Sequence, residues 1–124
     1  KKKIKSSIVM ISSIQGVMAP KFHHYRNLNM TSPIEYSAAK AGIISLTRYL
    51  SKYIQNKNLR INCVSPGGIY DNQNKIFAKR YKNDCVSKGL LDAKDLCHTI
   101  KFLISDDSKY IRGQNIIIDD GWSL

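Results

Sequence analysis

Tyr36 and Lys40 stand four residues apart, and Ser13 closes an apolar run upstream of them. Residues at i and i+4 share one face of a helix, so the Lys40 ammonium is expected beside the Tyr36 phenol. A free phenol, with a pKa of about 10, is a poor acid/base near neutral pH; a neighbouring cation favours its ionised form. A serine hydroxyl nearby could hold the oxygen whose proton is exchanged. Together the three residue types suit proton transfer at a carbonyl/alcohol pair. A Tyr-Lys pair at this spacing also occurs on ordinary surface helices, so its meaning rests on the elements around it.

Those elements read as alternating strands and helices. Residues 4–12 form an apolar run suited to a strand buried on both faces of a parallel sheet. Residues 14–31 read as a loop. Ser32 then fits an N-cap, Pro33 the first helical position and Glu35 the partner in a capping box. The helix they open is expected to run to about Gln55, with Ile43, Leu46, Thr47, Leu50 and Ile54 in helical period. Ala38, Ala39 and Gly42 give it a nearly bare surface, suited to close packing against the sheet or a second subunit. A second strand is expected over 59–64, a short helix near 76–81, a helix capped by Asp92 with Leu96, Ile100, Leu103 and Ile104 on its stripe, and a last strand over 114–118. This order predicts parallel crossovers.

The composition narrows the function classes. At 124 residues and 43% apolar content the chain is one globular domain or less. No stretch approaches the roughly 20 apolar residues of a membrane span, and the run after Lys1-Lys2-Lys3 is broken by Lys5, Ser6 and Ser7, so it reads as a strand and not as a signal peptide. Cys63, Cys85 and Cys97 are odd in number and widely spaced, which fits indifferent thiols in a reducing cytoplasm. The net charge of +11 is scattered and lacks interleaved aromatics, so nucleic acid is not expected as a partner.

Two further segments join the Ser-Tyr-Lys set: Pro66-Gly67-Gly68 after the run 60–65, and the ending Gly113-Gln114-Asn115-Ile116-Ile117-Ile118-Asp119-Asp120-Gly121. In this order, over nearly the whole chain, they resemble the short-chain dehydrogenase/reductase family. The resemblance implies an α/β fold, the C-terminal half of a Rossmann-type doubly wound parallel sheet. Residues 1–124 would be a single partial domain, since no glycine-rich pyrophosphate turn occurs in them. It implies NAD or NADP as cofactor, a small-molecule substrate and a homo-dimer or homo-tetramer, with the 124 residues alone inactive.

Residue by residue, the resemblance makes Ser13, Tyr36 and Lys40 catalytic and gives Lys40 a second task on the nicotinamide ribose. It sets Tyr36 and Lys40 with Pro66, Gly67, Gly68 and Ile69 against the cofactor. Ser12 is expected as a structural partner of Ser13, and Asn62, Asp119 and Asp120 as structural positions. The threonine that members often carry after the Pro-Gly turn is missing in Tyr70-Asp71-Asn72-Gln73-Asn74. The 22 residues between Ser13 and Tyr36 exceed the usual spacing and include a basic segment, from which Gln15, His23, His24 and Arg26 are candidate substrate contacts. Adjacent histidines are expected to point apart, with no carboxylate beside them, so no metal is expected. The Ser-Ile-Gln-Gly opening, the basic loop and the run 66–73 resemble the reductases of bacterial flagellin or surface-glycan sugar biosynthesis, implying a sugar phosphate or nucleotide sugar. An epimerase or dehydratase of the extended branch, or a chain that only folds or associates, stays open.

Overall fold

The computed structural model describes residues 5–124; Ile4, where the sequence places the start of the first strand, and Lys1-Lys2-Lys3 lie outside the described residues. Strands β1 (Ser6–Ile11), β2 (Leu59–Pro66) and β3 (Asn115–Ile118) form one parallel sheet in the order β1-β2-β3. Ser6 pairs with Leu59 and Ile11 with Val64 at the ends of the first ladder; Cys63 pairs with Asn115 and Pro66 with Ile118 at the ends of the second. Helix α1 (Ile34–Tyr53) links β1 to β2, and α2 (Lys75–Asn83) and α3 (Cys97–Ile104) lie between β2 and β3.

The helices cover both faces of the sheet. Ser7 and Arg60 are register partners, and their side chains reach the Leu103 and Ser105 carbonyls at the end of α3 (2.8 Å each). Ser12, an odd number of residues from Ser7 and so on the opposite face, donates to the Lys40 carbonyl of α1 at 2.7 Å. Central β2 is accordingly buried from Arg60 onward. Asn62 ties it to the chain before β3: its amide donates to the Ile111 carbonyl at 2.9 Å, and its oxygen accepts from the Gln114 amide at 3.0 Å.

Several expectations change. β1 is not buried on both faces: Ile8 and Ile11 are each 44% exposed, because β1 is the edge of the three-stranded sheet that these residues form. Ser32 does not cap α1. Pro33 holds the N-cap position with no side-chain cap bond, while the Ser32 hydroxyl turns away to the Gln15 side-chain oxygen. With Pro33 itself at the N-cap, Ser32 stands one residue outside the position from which its oxygen could cap the helix. Helix α1 stops at Tyr53, two residues before Gln55, which takes a left-handed φ of 45°. The expected loop 14–31 contains two 3-10 turns, Ile14–Gly16 and Phe22–Tyr25. Helix α2 falls where the sequence puts it, capped by Asn74. The helix expected from Asp92 instead opens as a 3-10 turn, Ala93–Leu96, with Asp92 and Asp95 in a capping box, and becomes α3 only at Cys97.

Beyond the C-terminal ends of the strands lies a hydrophobic core cluster of Ile14, Phe77, Tyr81 and Trp122. Phe77 and Tyr81 share the inner face of α2 at i and i+4, and Tyr81 stacks on Trp122 with ring centroids 5.5 Å apart. This aromatic block forms one wall of the main cleft.

Candidate active site

The strand ends, the N-terminal half of α1 and the aromatic block enclose an open cleft of about 500 Å³. Ser13 stands at its edge as the N-cap of the turn Ile14–Gly16, where its hydroxyl oxygen accepts from the Gln15 amide at 3.2 Å. Among the described residues no acceptor takes the Ser13 hydroxyl hydrogen. Ser12, turned inward and buried, fastens the same strand end to α1. Gly16 makes that approach possible: a Cβ there would stand 2.6 Å from the Lys40 carbonyl carbon and 2.8 Å from the Ser12 hydroxyl.

Tyr36 and Lys40 lie on one face of α1, with the Lys40 ammonium 5.5 Å from the Tyr36 ring centroid. Lys40 donates one hydrogen bond, to the Ile11 carbonyl at 3.3 Å. An ammonium has three donors, so two remain. Tyr36 is 43% exposed, and among the described residues its hydroxyl has no partner. Ser13, Tyr36 and Lys40 therefore meet at one cleft with unspent donors.

The turn Pro66-Gly67-Gly68-Ile69 lines the same cleft. The Gly67 amide extends the sheet to the Ile118 carbonyl at 2.8 Å, and the Gly68 amide donates to the Tyr81 hydroxyl at 2.6 Å. Its glycines serve packing within the chain. A Cβ on Gly67 would meet Asp119 and Tyr81 at 2.9 Å, and one on Gly68 would meet Leu90 at 2.6 Å. Burial pushes the Tyr81 phenol well above the ordinary range, so it stays protonated. Residues 69–91 make a closed excursion: Ile69 and Leu91 pair at its base, and Asp120 holds the segment 87–89. The Ser87 hydroxyl and the amides of Gly89, Ser87 and Lys88 lower the Asp120 carboxyl to about 2.

Of the residues expected at the substrate, only Gln15 reaches the cleft. Its amide donates to the Tyr25 hydroxyl at 3.3 Å and its oxygen accepts from Ser32. His23, His24 and Arg26 do not line it. Instead the His24 ring, 1% exposed, packs against Phe77, Tyr81 and Trp122, and the two histidines converge. His23 Nε2 and His24 Nε2 lie 3.0 and 2.8 Å from the same Asp84 Oδ2. The expectation of diverging rings without a carboxylate fails because the 3-10 turn Phe22–Tyr25 bends the backbone and the end of α2 delivers Asp84. Burial lowers the His24 pKa against the pull of Asp84. The Asp84 carboxyl, which partial burial tends to raise, is held low by the His24 hydrogen bond and the charge of Lys21.

Sequence reasoning missed Phe77, Tyr81, Trp122, Tyr25 and Ser32 as cleft residues. The i, i+4 pair in α2 was visible, but its partner Trp122 arrives from the far end of the chain. The Trp122 indole nitrogen is buried and has no hydrogen-bond partner among the described residues. All three cysteines are free, and burial raises the Cys63 thiol and takes the Cys85 thiol up to about 11.

Comparison with known proteins gives a consistent picture. The family model described as enoyl-(acyl carrier protein) reductase matches residues 1–123. The chain is 50% identical over 124 residues to post-translational flagellin modification protein A of Campylobacter coli, covering 100% of this chain and 48% of that protein. It is 34% identical over 123 residues to a 7alpha-hydroxysteroid dehydrogenase of Bacteroides fragilis, covering 95% and 44%. A short-chain dehydrogenase structure from Leptospira borgpetersenii with bound NAD+ superposes with a TM-score of 0.88 at 36% identity, over 95% of this chain and 44% of that one. A 4-hydroxyisoleucine dehydrogenase complexed with NADH gives 0.80 at 29% identity, over 94% and 46%. The chain thus spans less than half the length of these relatives.

Proposed function

Because this chain belongs to the short-chain dehydrogenase/reductase family, we propose that the whole protein is an NAD(P)-dependent oxidoreductase interconverting a secondary alcohol and a ketone. The observation that carries this reading is the meeting of Ser13, Tyr36 and Lys40 with the Pro66–Ile69 turn on one cleft at the C-terminal ends of parallel strands. The two unspent donors of Lys40 and the free Tyr36 hydroxyl suit a ribose, and the turn suits the nicotinamide side. Three of the relatives named above are dehydrogenases by description, two of them holding NAD+ or NADH.

When bound, the nicotinamide supplies or accepts the hydride. In the reducing direction Tyr36 gives its hydroxyl proton to the carbonyl oxygen as that oxygen gains charge. Ser13 donates a hydrogen bond to the same oxygen and fixes its position. The phenolate left behind, with the Lys40 ammonium 5.5 Å from its ring centroid, regains a proton from solvent. Oxidation runs the same transfers in reverse.

The substrate class we propose is a sugar phosphate or nucleotide sugar of surface-glycan or flagellin modification. The 50% identity to a flagellin modification protein supports it. So does the cleft wall, which sets aromatic faces beside the Gln15 amide and the Tyr25 and Ser32 hydroxyls. The basic segment adds no support, since its charges lie outside the cleft. The test is nicotinamide absorbance of the complete protein with NAD+ or NADP+ and a panel of sugar phosphates, nucleotide sugars, steroid alcohols and hydroxyacyl substrates. Turnover of sugars alone supports the class. Turnover confined to steroid or acyl substrates rejects the class and keeps the family chemistry, and no oxidation of any alcohol rejects both.

A further inference from the structure

We propose that His23, His24 and Asp84 bind one divalent transition-metal ion of the zinc class, which clasps the basic segment to the end of α2. Two imidazole nitrogens and one carboxylate oxygen form a donor set that such ions accept. The donor atoms all lie within 4.8 Å of one another. The two N···O separations, 2.8 and 3.0 Å, are within about half an ångström of the roughly 3.3 Å that tetrahedral ligands at about 2.0–2.1 Å impose. Small outward shifts would admit the ion.

The scaffold around the donors is already in place. His24 is wedged among Phe77, Tyr81 and Trp122, which fixes its ring. Arg80, one turn before Asp84 on α2, donates to the His23, His24 and Arg26 carbonyls at 3.5, 3.3 and 2.6 Å. That contact holds the histidine-bearing backbone to the element that carries the carboxylate, so little chain ordering is left to binding. His23 is half-exposed, which gives an entry path and leaves a fourth position for water. Lys21 opposes the ion, with its ammonium 3.8 Å from the same carboxylate oxygen. In that same position the ammonium lies 4.9 Å over the Trp122 ring, a contact that does not depend on the carboxylate. The donors lie outside the cleft but their neighbours wall it, so the ion would set the position of that wall and take no part in proton transfer.

The test uses the complete protein, free of a polyhistidine tag and stripped with a chelator. It carries Cys97→Ser and His98→Gln to remove exposed donors elsewhere. Zn2+ uptake is followed by equilibrium dialysis and Co2+ binding by visible absorption, which reports tetrahedral coordination. We expect one equivalent of either ion, a rise of the unfolding midpoint with Zn2+, and tighter binding in Lys21→Ala. His23→Gln and Asp84→Asn should each weaken binding at least about tenfold, the scale of losing even an outer-shell partner. His24→Gln removes a buried ring and can unfold the chain, so the two solvent-reaching variants decide. Absence of uptake, or uptake unchanged by either of those two variants, overturns the three-ligand site.

Discussion

The backbone of Gly16 lies directly against the backbone of Lys40, so close that a single methyl group at Gly16 would stand 2.6 Å from the Lys40 carbonyl carbon. The contact joins the turn that begins at Ser13 to the helix that carries Tyr36 and Lys40. Ser12 seals it, with its hydroxyl on the Lys40 carbonyl at 2.7 Å. The separation between the serine and the Tyr-Lys pair is thus set by two backbones and a buried hydroxyl, and not by side-chain packing that could relax. Gly16→Ala should push α1 outward. Overpacking of this kind costs about 1–3 kcal/mol, and a displacement on the order of 1 Å can cost about a hundredfold in rate. Urea denaturation and turnover of the complete protein check both. An alanine variant with unchanged stability and rate would show that the two backbones separate freely.

Much of this arrangement is legible in the sequence because it is local. The period of α1, the pairing of Tyr36 with Lys40, the strand before Pro66 and the cap that Asp92 provides ahead of α3 each depend on neighbours a few residues away. What is not legible comes from distant partners. Ser32 fits an N-cap by type, yet a better partner for its hydroxyl, Gln15, lies 17 residues upstream. His23 and His24 look like substrate contacts on a basic loop until Asp84, 60 residues from His24, is delivered to them. Ile8 and Ile11 look like core because an apolar run does not report whether a strand flanks it, and in the sheet of these residues β1 has a neighbour on one side alone. The aromatic wall joins Phe77 and Tyr81 to Trp122 across most of a crossover, a contact that no local period announces.

Tyr36→Phe should remove nearly all turnover of the complete protein while leaving cofactor affinity close to unchanged. The phenol moves the proton, and general acid/base groups contribute about 100- to 10,000-fold. Lys40→Ala should harm both, since its unspent donors suit the ribose and its ammonium stands beside the ring that moves the proton. Steady-state kinetics with nucleotide titration separates the two effects. A phenylalanine enzyme retaining half its rate would remove Tyr36 from the mechanism.

Asp120 gives a pH signature. Its carboxyl is lowered to about 2 by the Ser87 hydroxyl and three backbone amides, so the folded state binds the proton less readily than the unfolded chain. The contribution is therefore fully present above the unfolded carboxylate value of about 4, and is lost as pH falls toward about 2. The substitution Asp120→Asn would keep the left-handed backbone, where φ is 56° and asparagine is tolerated, but lack the charge. The stability gap between the protein and this variant should be constant from about pH 7 to about pH 5 and shrink below about pH 4. Denaturant midpoints at matched pH values measure it. A gap that does not shrink in acid would mean that hydrogen-bond geometry, not charge, holds the segment 87–89.

The small-residue surface of α1 separates folding from assembly unusually well. Gly42 is exposed, and a Cβ placed there meets nothing within 4 Å, as expected of a face not used inside the chain. Ala38 and Ala39 are exposed on the same helix, and Tyr49 and Tyr53 stack in the open further along it at 5.6 Å. If this face pairs with a second subunit, small residues permit close backbone approach, and two-fold pairing is the commonest homo-oligomer symmetry. Gly42→Leu should leave the fold of each subunit intact, because the new side chain has room, and should gain helix propensity of about 1 kcal/mol. Its effect should fall on association alone. Sizing of the complete protein by light scattering should show the variant shifted toward smaller species, with its helical circular dichroism retained. An unchanged assembly would place the subunit contact elsewhere and leave this face to solvent.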